Sequence, residues 1–314
     1  MTRDHGGGID GAVTLWGGAR PDWLDLSTGI NPVPYPVGKI PQQAWTALPD
    51  QGAADRLIAA ARAFWSVPDD LDILPAPGAS ALIARMPIMA DGAQVHVPAP
   101  TYNEHAAAFR AAGWNVVEIA TNPAARVIVH PNNPDGRLWP NSDLLPDGLM
   151  VVDESFCDVT PEHSMIAALT SPQQIILKSF GKFWGLAGLR LGFAIGAPRM
   201  LQPMRDAMGP WAVSGPAQTI ATRALNDSEW ATETRARLTA DADRMDQIMR
   251  RAGHTVIGGT TLFRLYDTPD APLLQDRLGQ HHILIRIFPY STTWVRLGLP
   301  STESEWDRLE QALA

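Results

Sequence analysis

Four apolar runs, each closed by a polar punctuation, constrain how this chain can fold. Residues 93–100 read AQVHVPAP and stop before Thr101 and Tyr102, and residues 125–131 read ARVIVHP and run into Asn132, Asn133, Pro134, Asp135 and Gly136. Residues 149–155 (LMVVDES) end at Asp153, and Gln174–Ser179 (QIILKS) leads to Lys182. Runs this continuously apolar suit strands buried on both faces, as a parallel sheet covered by crossover helices requires. Turns and helical patterns separate them, the rhythm of a doubly wound α/β sheet. Ligands of an open parallel sheet bind outside the carboxyl ends of its strands, so the four endings are expected to converge on one crevice.

Around this centre the pattern changes. Residues 1–40 are rich in glycine and proline, with HGGG at 5–8 and LDLSTGINPVPYP at 24–36, and are expected to lie as an irregular arm over something else. Helical patterning starts near Gln42 and includes an alanine-rich run at 53–64. Beyond Pro216 a long helical stretch from about Ser228 ends at Gly253, and its methionines read as core filler. Strand-like runs follow at 261–266, 283–288 and 294–299, then a last helix opened by Thr302 and Glu305 in capping-box spacing. The expected domains are an arm at 1–40 that joins the small domain, a large domain at 41–215, and a small α+β domain at 216–314.

A chain of 314 residues can bury a large core, and 45% hydrophobic with 18% charged residues is ordinary for a soluble enzyme. A net charge of −8 without long charge runs argues against nucleic acid or an anionic membrane as partner. There is no apolar segment of signal-peptide or membrane-span length, so the cytoplasm is expected. The one cysteine, Cys157, cannot form an internal disulfide and reads as a buried, inert thiol. No metal site is expected.

The chain has only three lysines, Lys39, Lys178 and Lys182, among 25 basic residues. An amine, unlike a guanidinium, loses its proton when desolvated and adds to carbonyl compounds. Lys178 reads as a strand-end lysine. Lys182, taken alone, reads equally as a surface-loop lysine or a nucleophile.

Its neighbours weigh on that choice. Residues 179–192, SFGKFWGLAGLRLG, resemble the signature around the cofactor lysine of the aspartate aminotransferase superfamily, the fold-type I pyridoxal phosphate enzymes. The resemblance implies an α/β fold: a three-layer, mostly parallel sheet in the large domain, with a smaller α+β C-terminal domain. It implies pyridoxal 5'-phosphate as cofactor, Lys182 as the residue that binds its aldehyde, and Ser179 and Arg190 as phosphate ligands. A second serine usual before the lysine is Gly181 here.

The same resemblance assigns the strand endings. Asp153, in D-E-S-F, matches the aspartate that faces the pyridine nitrogen; Phe156 stands where a tyrosine often reaches the cofactor's 3-oxygen, leaving that contact to Asn133. Tyr102 occupies the ring-stacking position, and Gly78, Ala79 and Ser80 match the loop whose amides meet the phosphate at a helix N-terminus. In the C-terminal domain Arg296 matches the binder of the substrate α-carboxylate. Arg286 aligns with a position that meets a substrate's own phosphate. Leu48 replaces a tyrosine that in many relatives crosses a dimer interface, although a homodimer remains expected.

The arm carries the finer resemblance. H-G-G near the start and L-D-x-S-x-x-I-N-P, with Phe156 and a short chain, are similar to the threonine-phosphate decarboxylases of cobalamin biosynthesis. That implies a small phosphorylated amino acid as substrate, threonine O-3-phosphate, with His5 and Asn31 joining the two arginines in binding it. A histidinol-phosphate-type aminotransferase would share every cofactor residue, and a non-catalytic ligand-sensing domain of this fold would share the pocket.

Overall fold

The computed structural model describes residues 5–120 and 122–314, which form two compact units. The larger holds residues 35–133 and 137–232; the smaller holds the chain through residue 34, residues 134–136 and residues 233–314. The divisions therefore fall at 34/35 and 232/233, where the sequence suggests 40/41 and 215/216. The reason is aromatic packing within the larger unit. Trp230 stacks on Trp184 with centroids 5.3 Å apart, Trp184 stacks on Phe180 at 5.0 Å, and Tyr35 meets both tryptophans edge-on. These contacts keep both ends of the segment in the larger unit.

That unit is built on seven strands: β1 (Asp72–Ala76), β2 (Gln94–His96), β3 (Asn115–Val117), β4 (Ala125–Val129), β5 (Leu149–Asp153), β6 (Gln174–Ser179) and β7 (Gly192–Gly196). Their spatial order is β1-β7-β6-β5-β4-β2-β3. Strands β2 to β6 pair in parallel, and β7 runs antiparallel to both its neighbours. Every residue of β5 is buried, as its unbroken apolar run predicts. β1 contains Pro75, which an edge strand tolerates because it lacks a partner on one side. β7 begins at Gly192, where an added Cβ would collide with the backbone of Ala79; the glycine lets the turn after β1 lie against β7. The core on one side of the sheet includes Leu74, Phe109, Val127, Val151, Ile175 and Ala194.

The smaller unit has an antiparallel sheet ordered Arg286–Phe288, Ser291–Leu297, Phe263–Asp267, Thr255–Thr260, and a two-stranded parallel ladder joining Leu24–Asp25 to Ile283–Leu284. The expected irregular arm is thus partly regular. A helix at Ile9–Trp16 forms because Ile9, Ala12, Val13 and Trp16 pack against Trp23 and Leu284, giving one apolar face a place to go. The run expected at 283–288 splits into two strands that join different sheets. The long helix spans Ser228–Arg251, and Gly253 follows with φ +86°. Thr302 caps Glu303–Leu313 through the predicted box.

Candidate active site

A pocket of about 110 Å³ opens in the larger unit where the strand ends meet. The turn after β1 supplies Gly78, Ala79 and Ser80, and the turn after β2 supplies Tyr102. β4 and β5 lead to Asn133 and Asp153, and the segment between β6 and β7 carries Lys182 and Arg190, with Ser179 closing β6. All nine residues that the sequence suggests for cofactor and catalysis therefore line one cavity. Lys182 Nζ stands 5.3 Å above the Phe156 ring.

Asp153 is buried, and its carboxylate is clamped. Oδ2 accepts from His105 Nε2 at 2.8 Å, and Oδ1 accepts from the backbone N–H of Ser155 at 2.9 Å and its hydroxyl at 2.5 Å. Burial pushes its pKa up, but the hydrogen bond and charge of His105, with the Ser155 bonds, outweigh that and hold it below the usual carboxylate value. The charged form is kept ready at the wall. His105 lies three residues beyond Tyr102 on the helix Asn103–Ala111, and the two rings meet edge-on at 6.1 Å. A buried carboxylate needs a donor, and His105 supplies it here although the sequence does not single it out. Its one signal is a polar residue at helical spacing from a site tyrosine.

At the other end of the pocket Gly78 has φ +89°, and an added Cβ would lie 2.7 Å from Arg190 Nη2. Glycine here gives both the left-handed turn and the room for the guanidinium. Arg190 itself has φ 52°, and its Nη1 donates to Ala187 O at 3.0 Å. Gly181 N–H donates to Ser179 Oγ at 3.4 Å, and the Cβ of any other residue at 181 would come within 3.1 Å of Ala187 Cα.

Two further buried residues adjoin expected site members in the chain, Asn132 beside Asn133 and Lys178 beside Ser179. Asn132, fully buried, donates to Pro100 O at 3.0 Å and accepts from Thr101 Oγ1 at 2.7 Å, so it ties the turn bearing Tyr102 to the turn bearing Asn133. Lys178, read as a plain strand-end lysine, is buried and forms an ion pair with Glu154 at 2.6 Å. Burial alone would favour losing the proton, but Glu154 and Asp158 raise its pKa above the ordinary lysine value. Cys157 beside it is buried, and burial first of all pushes its thiol far up, which leaves it inert as expected.

The four expected substrate residues belong to the smaller unit. Arg296 is buried opposite Arg286 in the strand ladder, and its Nη2 donates to Ser27 O at 2.6 Å. Burial, then the charge of Arg286, lowers its pKa to about 10. A buried guanidinium beside a second one is a site that gains from an anion. Asn31 is buried, and its Oδ1 accepts from Arg237 Nη2 at 2.6 Å and from the Val33 N–H at 3.1 Å. His5 is exposed.

A family model described as aminotransferase class I and II matches residues 22–313, and the chain belongs to that family. It is 40% identical to a threonine-phosphate decarboxylase of Pseudomonas aeruginosa over 99% of this chain and 97% of that one. It is 41% identical to a threonine-phosphate decarboxylase of Sinorhizobium over the same shares of the two chains. Among solved structures it is similar to a histidinol-phosphate aminotransferase of Sinorhizobium meliloti in complex with pyridoxal-5'-phosphate. That likeness has a TM-score of 0.85 at 20% identity and covers 98% of this chain and 93% of the other.

Proposed function

We propose that this protein is a pyridoxal phosphate-dependent decarboxylase that converts L-threonine O-3-phosphate to (R)-1-amino-2-propanol O-2-phosphate and carbon dioxide, a step of cobalamin biosynthesis. The observation that carries the reading is one pocket lined by an amine, a clamped anionic carboxylate and a glycine-shaped anion cradle, in a chain 40% identical to a named threonine-phosphate decarboxylase over nearly its whole length.

The residues fit the cofactor. Lys182 would bind its aldehyde carbon, and Tyr102 would cover the ring. Asn133 would meet the 3-oxygen. Arg190, Ser179 and the amides of the turn at 78–80 would hold its phosphate, in a space that a Cβ on Gly78 would fill. When bound, pyridoxal phosphate supplies a ring that accepts the electron pair left on the substrate carbon as carbon dioxide departs.

The protein's own part is to bind, orient and move a proton. Asp153, kept anionic by His105 and Ser155, would hold a proton on the ring nitrogen. Arg296 grips the substrate carboxylate as a planar fork and sets the direction of the bond to be broken. Arg286, Asn31 and His5 bind the substrate phosphate. Lys182 Nζ, freed when the substrate amine takes its place on the aldehyde carbon, would then return a proton to the carbon from which the carboxylate left.

The protein acts as a cytoplasmic homodimer in this reading. Trp45, Leu48 and Trp211 are exposed on the larger unit and offer apolar surface to a second copy. Among the described residues no helix is long and apolar enough to cross a membrane.

The test is incubation of purified protein with pyridoxal phosphate and threonine O-3-phosphate. Release of carbon dioxide and the phosphorylated amino alcohol supports the assignment. Amino transfer that depends on a keto acid, without carbon dioxide, replaces it by an aminotransferase; binding without turnover replaces it by a sensing domain.

A further inference from the structure

Lys178 takes no part in the chemistry proposed above, yet it is buried among carboxylates at the edge of the pocket's scaffold. Asp153 ends β5 and Ser179 ends β6, and each has a charged neighbour one position away: Glu154 after the first, Lys178 before the second. Side chains alternate across a strand, so where Asp153 and Ser179 face the pocket, Glu154 and Lys178 face the other side of the sheet. There the Lys178 ammonium lies 2.6 Å from Glu154 Oε2 and 3.5 Å from Asp158 Oδ1.

The carboxylates are themselves fixed. Glu154 accepts from Ser164 Oγ at 2.8 Å and from the Met165 N–H at 2.6 Å, while Asp158 accepts from Trp65 Nε1 at 2.9 Å. Between the backbones, the Glu154 N–H donates to Leu177 O at 2.9 Å. The ion pair therefore adds a second, side-chain tie between the same two strand ends, next to the two pocket residues. Buried pairs contribute little to stability compared with apolar residues of similar volume, so stability alone does not explain one here.

We propose that the Lys178–Glu154 pair is a positioning element of the cofactor site. It sets how the end of β6, with Ser179, stands against the end of β5, with Asp153. It thereby sets the spacing between the phosphate-gripping and ring-facing groups, a role that rests on the reading of the pocket given above.

Two variants test it in the holoenzyme. Lys178→Arg keeps the charge but replaces a point contact by a wider planar one. Glu154→Gln combined with Lys178→Met removes both charges of the pair together, and Asp158 keeps the Trp65 Nε1 donor. Wild type and Lys182→Ala come first: absence of pyridoxal phosphate binding by the wild type defeats the pocket reading and is separate from the fate of the pair. Given cofactor binding, either folded variant is expected to bind pyridoxal phosphate about tenfold more weakly and to lose about tenfold in kcat, since small misplacements are costly to rate. KM for threonine O-3-phosphate should stay within about threefold, because catalytic geometry rather than uniform substrate binding is disturbed. The pH midpoint of the visible absorption band should move, while the thermal midpoint of the apoprotein stays near wild type. Wild-type cofactor affinity, absorption profile and kcat in a folded variant overturn the proposal. Where one variant fails to fold by circular dichroism, the other carries the test. Unfolding of both makes the pair a stability element and equally overturns it.

Discussion

His105 Nε2 donates to Asp153 Oδ2 at 2.8 Å across 48 residues of chain, with both side chains buried. A hydrogen bond to a charged group contributes about 1.5–3 kcal/mol. His105→Leu is therefore expected to weaken cofactor binding by roughly tenfold or more and to lower kcat/KM by a similar factor. Titration of the apoprotein with pyridoxal phosphate, followed by tryptophan fluorescence, measures the first; carbon dioxide release measures the second. His105→Gln keeps a donor and should recover part of the loss.

Gly78→Ala tests the anion cradle. At φ +89° an alanine is strained, and its Cβ would stand 2.7 Å from Arg190 Nη2. The backbone strain costs on the order of 1–3 kcal/mol. Displacement of the guanidinium should weaken binding of pyridoxal phosphate more than that of pyridoxal. Equal losses for the two would show that the residue does not shape a phosphate site.

Stability should fall on mild acidification because His130 is buried as the neutral ring. Its Nδ1 accepts from the Trp139 N–H at 3.1 Å, and Nε2 donates to His163 O at 2.8 Å. Burial, the largest influence, lowers its pKa from the ordinary 6.5. The unfolded chain therefore takes up the proton first. The stabilising contribution is complete above pH 6.5, declines as pH falls below that value, and levels off beneath the lowered folded value. The slope for one such group is at most about 1.4 kcal/mol per pH unit. His96 and His254, also lowered chiefly by burial, act in the same direction. Thermal midpoints from pH 5 to 8 check the trend, and His130→Asn should reduce it.

Trp211, 59% exposed with φ 58°, is a large apolar side chain at the surface in an uncommon backbone conformation. If a second copy covers it, Trp211→Glu should shift light scattering from dimer toward monomer at micromolar concentration. An unchanged mass would remove this surface from the interface.

Which parts of the molecule could be read in the sequence follows from what each residue needs. β5 and β6 are legible because strands buried on both faces are apolar without interruption. β7, GFAIG, and the strand Thr255–Thr260, TVIGGT, are not, because their glycines serve close backbone approach: Cβ atoms on Gly192 and Gly258 would strike Ala79 and Asp135. The pocket residues are legible from offsets within short segments. His105 and Lys178 are not, because their meaning lies in partners brought to them by strand pairing and helix packing, and a histidine on an alanine-rich helix carries no trace of an aspartate 48 residues away. The unit boundaries shifted for the same reason: Tyr35 and Trp230 belong with Trp184 through ring contacts that no local pattern encodes.

The place of β7 in the sheet has a consequence for how the chain is made. β1 leaves the ribosome early, yet its sole neighbour in the sheet is β7, with Asp72 paired to Gly196. Until the chain through Gly196 has emerged, the turn at Gly78 has neither strand nor guanidinium to rest on. Closure over so long a loop is slow. The Gly78 and Arg190 end of the pocket thus waits for β7, and a fragment ending before Leu191, once released from the ribosome, should expose β1 to protease while β4, β5 and β6 can already pair.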